Sequence, residues 1–429
     1  MISSGEKFSG VLITTGKYLG TLAAIRDFGR NGIKVTLADS GRSLSHFSRY
    51  LYKYETCPHH NTDTDAYIQW LLDYGKANPG LFLYPSCDHT SWLYALHKKK
   101  LSRYFTLYSP DRSVLFEILN KKRLMKNCAA LGISCPKSIY PTSLCDVSSA
   151  LNHINMPCLI KPQTQVGSKT KSKGLKVSDQ KMLVASYSHQ RKNNQYESYI
   201  KDFGSGIDWP IIQEYYKEAM QDTLSIAGFI SQNHSEFHWR ASKKVMQTPR
   251  KIGVGLCFES INPPHWVIEQ CQKLCQYLGY YGVFEIEFIR RGDQYLLIDF
   301  NPRYYGQMEF EIRRSLSAPM LLLEHARLIP TRNDVVSIRK RVYASNEGDY
   351  RYSTNWLFYL TLFCSWLGLN LSSSELKKWF HWKNRAYKYF DAVFCRDDIK
   401  PFIYHLVTSI AKYVRHPRMA FRNLFLETN

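Results

Sequence analysis

Gly282-Val-Phe-Glu-Ile-Glu-Phe-Ile-Arg-Arg-Gly-Asp-Gln-Tyr-Leu-Leu-Ile-Asp-Phe-Asn-Pro-Arg303 is the stretch that decides the reading of this chain. It reads as two antiparallel strands joined at the Arg291-Gly-Asp293 turn. Side chains alternate along a strand, so Glu285 and Glu287 share one face of the first strand. Asp299 and Asn301 share one face of the second. Glu287 and Asp299 flank a tight hairpin and can face each other across it. Phe284, Ile286, Phe288, Leu297 and Phe300 make both strands read as buried. Acids inside apolar strands are costly unless something pairs them. Two carboxylates and an amide oxygen form a hard oxygen set that suits Mg²⁺, which takes a few carboxylates plus substrate phosphates. Arg303, two residues past Asn301, can aim a guanidinium at a phosphate or a developing oxyanion.

Working outward, two upstream strands carry charge in the same manner. Cys158-Leu-Ile-Lys161-Pro162 delivers a single Lys from an apolar strand, a point charge suited to a phosphate. Ile211-Ile-Gln213-Glu214-Tyr215-Tyr216 ends in an acid and two aromatics. Its Glu or a backbone carbonyl can accept from an adenine amino group. Either piece alone is weak, since a lone buried Lys or Glu is more often part of a structural ion pair. Lys243, Lys244 and Arg250 can face a triphosphate or an acceptor, or form a solvated basic face. From Cys158 to Asn301 strands dominate, with one clear helix, His265 to Leu278, stopped by Gly279.

The chain opens as strand, Gly-containing turn, helix and strand: Gly10 to Thr15, then Leu22 to Gly29 ended by Asn31-Gly32, then Ile33 to Asp39. A further strand, Leu81 to Tyr84, runs into Pro85-Ser-Cys-Asp88. Alternation of this kind predicts a parallel sheet covered by helices. Gly-x-Gly-x-x-Gly is absent, so Asp39 is weak evidence for a ribose contact. Asp88 sits at a strand's carboxyl end, the usual ligand crevice of such sheets. Arg112 to Leu131 reads as one helix stopping at Gly132.

Lys and Arg number 57 against 36 Asp and Glu, a net charge of +21. That surface attracts nucleotides, nucleic acid or an anionic membrane face without choosing among them. No Lys/Arg–aromatic ribbon of the single-strand-binding kind is present, so no nucleic-acid partner is expected. Met1 to Gly10 lacks a secretory leader pattern. The eleven Cys are scattered without Cys-x-x-Cys, which predicts reduced thiols in a cytoplasmic protein.

The order of these segments resembles the ATP-grasp superfamily, whose members include biotin carboxylase, carbamoyl phosphate synthetase and amino-acid ligases. The resemblance covers about residues 10–328, and the Glu…Asp-x-Asn-Pro-Arg end is its most specific part. It implies an α/β chain, α+β in the nucleotide grasp. A Rossmann-like parallel-sheet domain would span 1–112 and a two-part ATP-grasp domain 113–328, with its lid at about 145–215. A mostly helical extension would span 329–429. It implies ATP and Mg²⁺. Lys121 and Lys161 match the two phosphate-binding lysines, with Lys122 a competitor for the first. Gln213, Glu214, Tyr215 and Tyr216 match the adenine-reading hinge, and Asp222 is placed like the ribose acid. Glu287, Asp299 and Asn301 match the magnesium ligands, and Arg303 the arginine that stabilises the acyl-phosphate transition state.

Two departures stand out. The lid loop Gln163 to Gly174 has two glycines and lysines at 169, 171 and 173, where relatives are glycine-rich. The second metal acid is Asp299 where Glu is common. The implied reaction joins a small-molecule carboxylate to an amine. The alternatives are a carboxylase acting on bicarbonate, and a basic nucleotide- or nucleic-acid-binding protein without turnover. The resemblance does not reach residues 329–429. There, Ser353 to Ser374 has no charged residue and is followed by Lys and Arg clusters. That pattern predicts either a helical cap packed on the body or a peripheral contact with an anionic membrane.

Overall fold

A computed structural model describes residues 8–169, 174–201, 204–250, 253–330 and 349–425. Lys171 and Lys173 of the lid loop lie outside the described residues. The N-terminal region forms five strands: β1 (Gly10–Thr14), β2 (Val35–Asp39), β3 (Lys53–Thr56), β4 (Leu81–Leu83) and β5 (Phe105–Leu107). All are parallel, in the order β3-β2-β1-β4-β5. Val11, Leu12 and Ile13 are fully buried, as parallel strands covered on both faces require.

The expected single helix from Arg112 to Leu131 is two helices, Arg112–Leu119 and Lys121–Ala130. Asn120 breaks it because its side chain caps the second helix, accepting from the Arg123 N–H at 3.1 Å. The break sets Lys121 in the first turn of a new helix, and its own N–H bonds the Gln163 carbonyl at 2.7 Å.

A small antiparallel sheet follows: β6 (Ser138–Ile139), β7 (Cys158–Lys161), β8 (Leu175–Val177) and β9 (Ile211–Glu214), in the order β6-β9-β7-β8. The helices Leu144–Ala150 and Leu183–Asn193 belong to this unit, and Val147, Leu183 and Tyr187 pack on Cys158 and Ile160.

The large sheet contains β10 (Thr223–Ile230), β11 (Phe237–Thr248), β12 (Val254–Ser260), β13 (Gly282–Arg291), β14 (Gln294–Asn301), β15 (Tyr350–Ser353) and β16 (Lys388–Asp391), in the order β14-β13-β10-β11-β12-β15-β16. The hairpin read from the sequence is β13–β14, turning at Gly292 with φ +60°. Its apolar face buries Phe284, Ile286, Phe288, Leu297 and Phe300, none more than 1 % exposed. They pack against Val267, Cys271 and Leu274 of the helix His265–Leu278. Each such side chain contributes about 1.5–3 kcal/mol. Gly279 ends that helix in the left-handed region, φ +67°, as its position predicts.

Helices dominate the C-terminal segment, but two of its strands, β15 and β16, extend the large sheet past β12. Short edge strands of four residues carry little periodicity, so the sequence shows them poorly. The helix Asn355–Leu367 lays Phe358 and Leu362 on Met246 and Cys257 of that sheet, which is the packed cap expected for the uncharged stretch. No described helix is long and apolar enough to cross a membrane. All eleven cysteines are unpaired thiols.

One buried ion pair ties the two ends of the chain together. Arg26, fully buried on the helix Leu19–Arg30, places its Nε 2.9 Å from Asp398 Oδ2. Asp398 also accepts from Ser48 Oγ at 2.7 Å and from the Arg49 N–H at 2.8 Å. Removing one partner of such a pair strands a buried charge, which costs about 3–5 kcal/mol. Asp398→Ala should therefore lower unfolding stability in urea by that amount. A double change to Arg26→Met and Asp398→Leu should recover much of the loss. An Asp398→Ala midpoint equal to wild type would show that the pair contributes nothing.

Candidate active site

Antiparallel register brings four strands' polar residues onto one face of the large sheet. Ser225 of β10 stands opposite Glu287 and Ser242, Glu287 stands opposite Asp299, and Glu285 stands opposite Asn301. Residues directly across a ladder share a face. The facing of Glu287 and Asp299 expected from the hairpin is therefore present. A bulge follows at once: Phe288 pairs with Leu297, leaving Ile298 as the extra residue.

The cluster is balanced by cations from separate elements. Lys121 Nζ lies 2.7 Å from Asp299 Oδ1, across 178 positions of sequence. Lys161, at the end of β7, donates to Gln213 Oε1 at 2.9 Å, and Gln213 in turn donates to Ser138 Oγ at 3.0 Å. Lys244 stands opposite Thr223 on β11, on the acid face. Lys243 points the other way and pairs with Glu259 at 3.3 Å. Arg250 is outside the cluster and acts on Glu375 of the C-terminal segment. Lys122 is turned toward the Tyr140 ring, 5.8 Å from its centroid, which leaves Lys121 at the acids.

Burial and mutual repulsion set the protonation of these groups. Burial, then Glu285, pushes the Glu287 carboxyl up to about 7, against the pull of Lys244 and Lys121. Burial also acts upward on Asp299, but the charge and hydrogen bond of Lys121, with Lys161 and Arg303, hold it below its ordinary value. Lys161 is drawn down to about 8, first by burial and then by Lys121, while Asp299 and Glu287 act in the opposite sense. Lys244 is lowered by burial, opposed by Glu287 and Glu285. Two carboxylates and two ammonium groups thus share this face, each shifted by burial and by the charges of its neighbours.

Glu285 is satisfied within the protein. It accepts from Ser225 Oγ at 2.8 Å, from Gln307 Nε2, and from Asn301 Nδ2 at 3.0 Å. Asn301 then turns its Oδ1 to Arg303 Nη2 at 2.8 Å. Arg303 also donates to Asp88 Oδ1 at 2.7 Å and to the Tyr304 carbonyl at 2.9 Å. A guanidinium has five N–H donors, so two remain for a ligand. Burial works against the charge of Arg303, yet Asp88 and then Glu285 raise its pKa overall. Asp88, placed in the ligand crevice by the sequence, thus holds Arg303. Asp39 clamps the first turn instead, accepting from the N–H groups of Gly16 at 2.7 Å and Ser40 at 2.8 Å.

The residues expected to form the hinge, Gln213 to Tyr216, lie at the end of β9 and just past it. Glu214 accepts from Asn155 Nδ2 at 2.9 Å and from the Tyr216 hydroxyl at 2.7 Å, and its own N–H bonds the Lys137 carbonyl at 3.0 Å. Lys176 Nζ sits 3.9 Å over the Tyr215 ring and the Arg291 guanidinium 5.3 Å over Tyr216. Asp222 takes Arg290 Nε and Nη2 on Oδ2, both at 3.1 Å, while its buried Oδ1 has no hydrogen-bond partner. That orphan oxygen is an acceptor suited to a hydroxyl.

Among the described residues, no three His, Cys, Asp or Glu come together as a metal-holding group. Glu287, Asp299 and Asn301 fit Mg²⁺ only as a partial oxygen set, of the kind that phosphate oxygens complete. The sequence reading missed Ser225 and Gln307, which hold Glu285. Ser225 follows β13 parity once the strand pairing is known, but Gln307 carries no sequence signal.

No protein-family model matches this chain, and no curated protein matches it in sequence. Solved structures match it in architecture. The L-amino acid ligase from Bacillus licheniformis superposes with a TM-score of 0.58 at 13 % identity, over 77 % of this chain and 76 % of the ligase. Biotin carboxylase from Campylobacter jejuni gives 0.58 at 13 % identity, over 76 % and 72 %. N5-carboxyaminoimidazole synthetase from Staphylococcus aureus gives 0.57 at 13 % identity, over 78 % and 81 %. At that identity the likeness is one of fold: this chain has the ATP-grasp fold.

Proposed function

We propose that the protein is an ATP- and Mg²⁺-dependent ligase that activates a carboxylate as an acyl phosphate for attack by an amine. The observation that carries this reading is the convergence of Lys121 and Lys161, from a helix and from the lid sheet, on the acid face that holds Glu287 and Asp299. A bound Mg²⁺ would neutralise phosphate charge beside these acids. Lys121 and Lys161 orient the phosphates as point charges. Glu214 to Tyr216 hold the base, and Asp222 Oδ1 accepts from the ribose. Arg303, fixed by Asp88 and Asn301, keeps two donors for the oxyanion that develops at the carboxyl carbon. The amine then displaces phosphate, leaving an amide. No protein nucleophile enters this scheme. The substrates are small molecules, and screening amino acids and small carboxylates for ADP release tests it directly. Release that needs both a carboxylate and an amine supports the ligase. Release driven by bicarbonate alone points to the carboxylase alternative, and none with any pair points to a binding protein.

Glu287→Ala and Asp299→Ala should each cut ATP turnover by about 100-fold or more, since each removes charge stabilisation beside the transferred phosphoryl. Near-normal rates in both variants would remove the acid face from the chemistry.

Lys161 offers a test without turnover. Its lowered pKa means that the unliganded protein sheds this proton as pH rises through about 8. The unfolded chain keeps the proton longer, so this group's effect on unliganded stability improves as pH climbs above that value. ATP phosphates favour the charged form. Mg-ATP binding should therefore take up a proton near pH 8 and weaken as pH rises further. Calorimetry in buffers of different ionisation enthalpy reads the uptake, and Lys161→Arg should abolish it. Zero uptake in the wild-type protein would return Lys161 to a structural partnership with Gln213.

A further inference from the structure

The helix Lys400–Arg415 presents an apolar stripe that none of the described residues covers. Ile403, Val407, Ile410 and Val414 are 51 %, 58 %, 51 % and 74 % exposed. Scattered exposed apolar residues are ordinary. These recur at spacings of four, three and four, which places them along one side of the helix. The stripe is not a helix lying loose. Tyr404 stacks on Phe47 with centroids 4.4 Å apart, and its hydroxyl donates to the Arg42 carbonyl at 3.0 Å. Trp356 Nε1 lies 3.1 Å from His405 Nδ1. The packed side of the helix is therefore fixed, and the stripe faces away from it.

Charge selects among the partners able to cover such a face. Residues 400–425 include Lys400, Lys412, Arg415, Arg418 and Arg422, all exposed, and no Asp or Glu. The following helix, Pro417–Leu424, continues the pattern with Phe421 at 55 % exposure. A second copy of this chain would bring the same five cations to the interface, and residues 400–425 hold no carboxylate to meet them. Each protomer already carries +21, so pairing would oppose that repulsion as well. An anionic bilayer meets both features: its headgroups attract the cations and its acyl boundary takes the apolar stripe. The helix has 16 residues, about 24 Å, against about 30 Å of hydrocarbon, so it is too short to cross a membrane.

We propose that the Ile403–Val414 stripe, together with the cations carried by the same two helices, docks this protein on an anionic lipid surface. This surface is separate from the nucleotide cleft and stands independently of the ligase reading. The test uses the full chain and vesicles of phosphatidylcholine with about 30 % phosphatidylserine, compared with phosphatidylcholine alone. The protein should sediment with the anionic vesicles at about 50 mM salt and bind about tenfold less at about 500 mM, where screening shortens the reach of charge. It should stay in the supernatant with neutral vesicles. Val407→Asp with Val414→Asp should reduce anionic-vesicle binding by about tenfold or more, because charge enters the apolar boundary. Lys99→Ser with Lys100→Ser removes two charges at an exposed site in the N-terminal region and should retain binding. Thermal unfolding of both variants should match wild type, since all four positions are exposed.

Equal losses in the two double variants would overturn the proposal, because net charge alone would then explain binding. So would no binding at all, or binding that neutral vesicles reproduce. A dimer in sedimentation velocity that the Val407→Asp, Val414→Asp variant dissolves, without vesicle binding, would assign the stripe to a second copy instead.

Discussion

Placing Glu285, Glu287 and Asp299 on one face of a sheet is the constraint around which the rest of the molecule is arranged. Two like charges about 4 Å apart repel by about 4 kcal/mol at the effective dielectric near a protein surface. Three such groups would not stay ionised unaided. The fold answers in two ways. Glu285 is saturated with neutral donors from Ser225, Gln307 and Asn301, so its charge is spread into hydrogen bonds. Asp299 receives an ammonium directly from Lys121. Glu287 receives neither and is the acid whose pKa rises, to about 7. A carboxyl left incompletely matched beside one fully matched is the arrangement a further cation would complete, and Asp299 keeps 37 % side-chain exposure, so a ligand can reach it.

The hairpin was legible because everything that defines it is local. Alternation, a Gly-Asp turn and acids among Phe and Ile fall within 22 residues, and the register follows from the turn. Strands β1 and β2 of the first sheet were legible for the same reason, through strand-helix-strand punctuation by Gly16, Asn31 and Gly32, whereas the short strands β3 and β5 carried no such signal. The rest depended on pairings that no local pattern encodes. Lys121 reads as one of several cations on a basic helix until Asn120 is seen to start a new helix there. Lys243 and Lys244 are equivalent in sequence. Only the alignment of Thr223 with Lys244 places one on the acid face and sends the other to Glu259. Arg303 and Asp88 each read as ligand-facing, and their pairing shows that one positions the other.

The C-terminal segment escaped the resemblance, yet the large sheet does not end without it. β15 pairs with β12, and β16 pairs with β15, so the edge next to Lys243 and Glu259 is covered by chain some hundred positions away. Covering an edge removes a row of unpaired backbone groups. Trp382 adds a bond from Nε1 to Glu259 Oε2 at 2.9 Å, which occupies the acid that neutralises Lys243. The Arg26–Asp398 pair then joins this segment back to the first domain. The segment is thus part of the architecture that carries the acid face of the large sheet.

The net charge of +21 takes on meaning once it is divided by location. Among the described residues of the acid face, the cations Lys121, Lys161, Lys244 and Arg303 equal the carboxylates Asp88, Glu285, Glu287 and Asp299 in number. Lys121 and Lys161 are held against acids or a buried amide, and Arg303 against Asp88. The helices after Lys400 have no acid among 26 residues and five exposed cations. A catalytic cleft needs its charges cancelled in pairs so that a ligand's charge tips the balance. A docking face needs the reverse, an uncancelled field, because its attraction must act before contact. The same excess of Lys and Arg, read as one number, conceals two unlike electrostatic regions, and only the placement of the acids separates them.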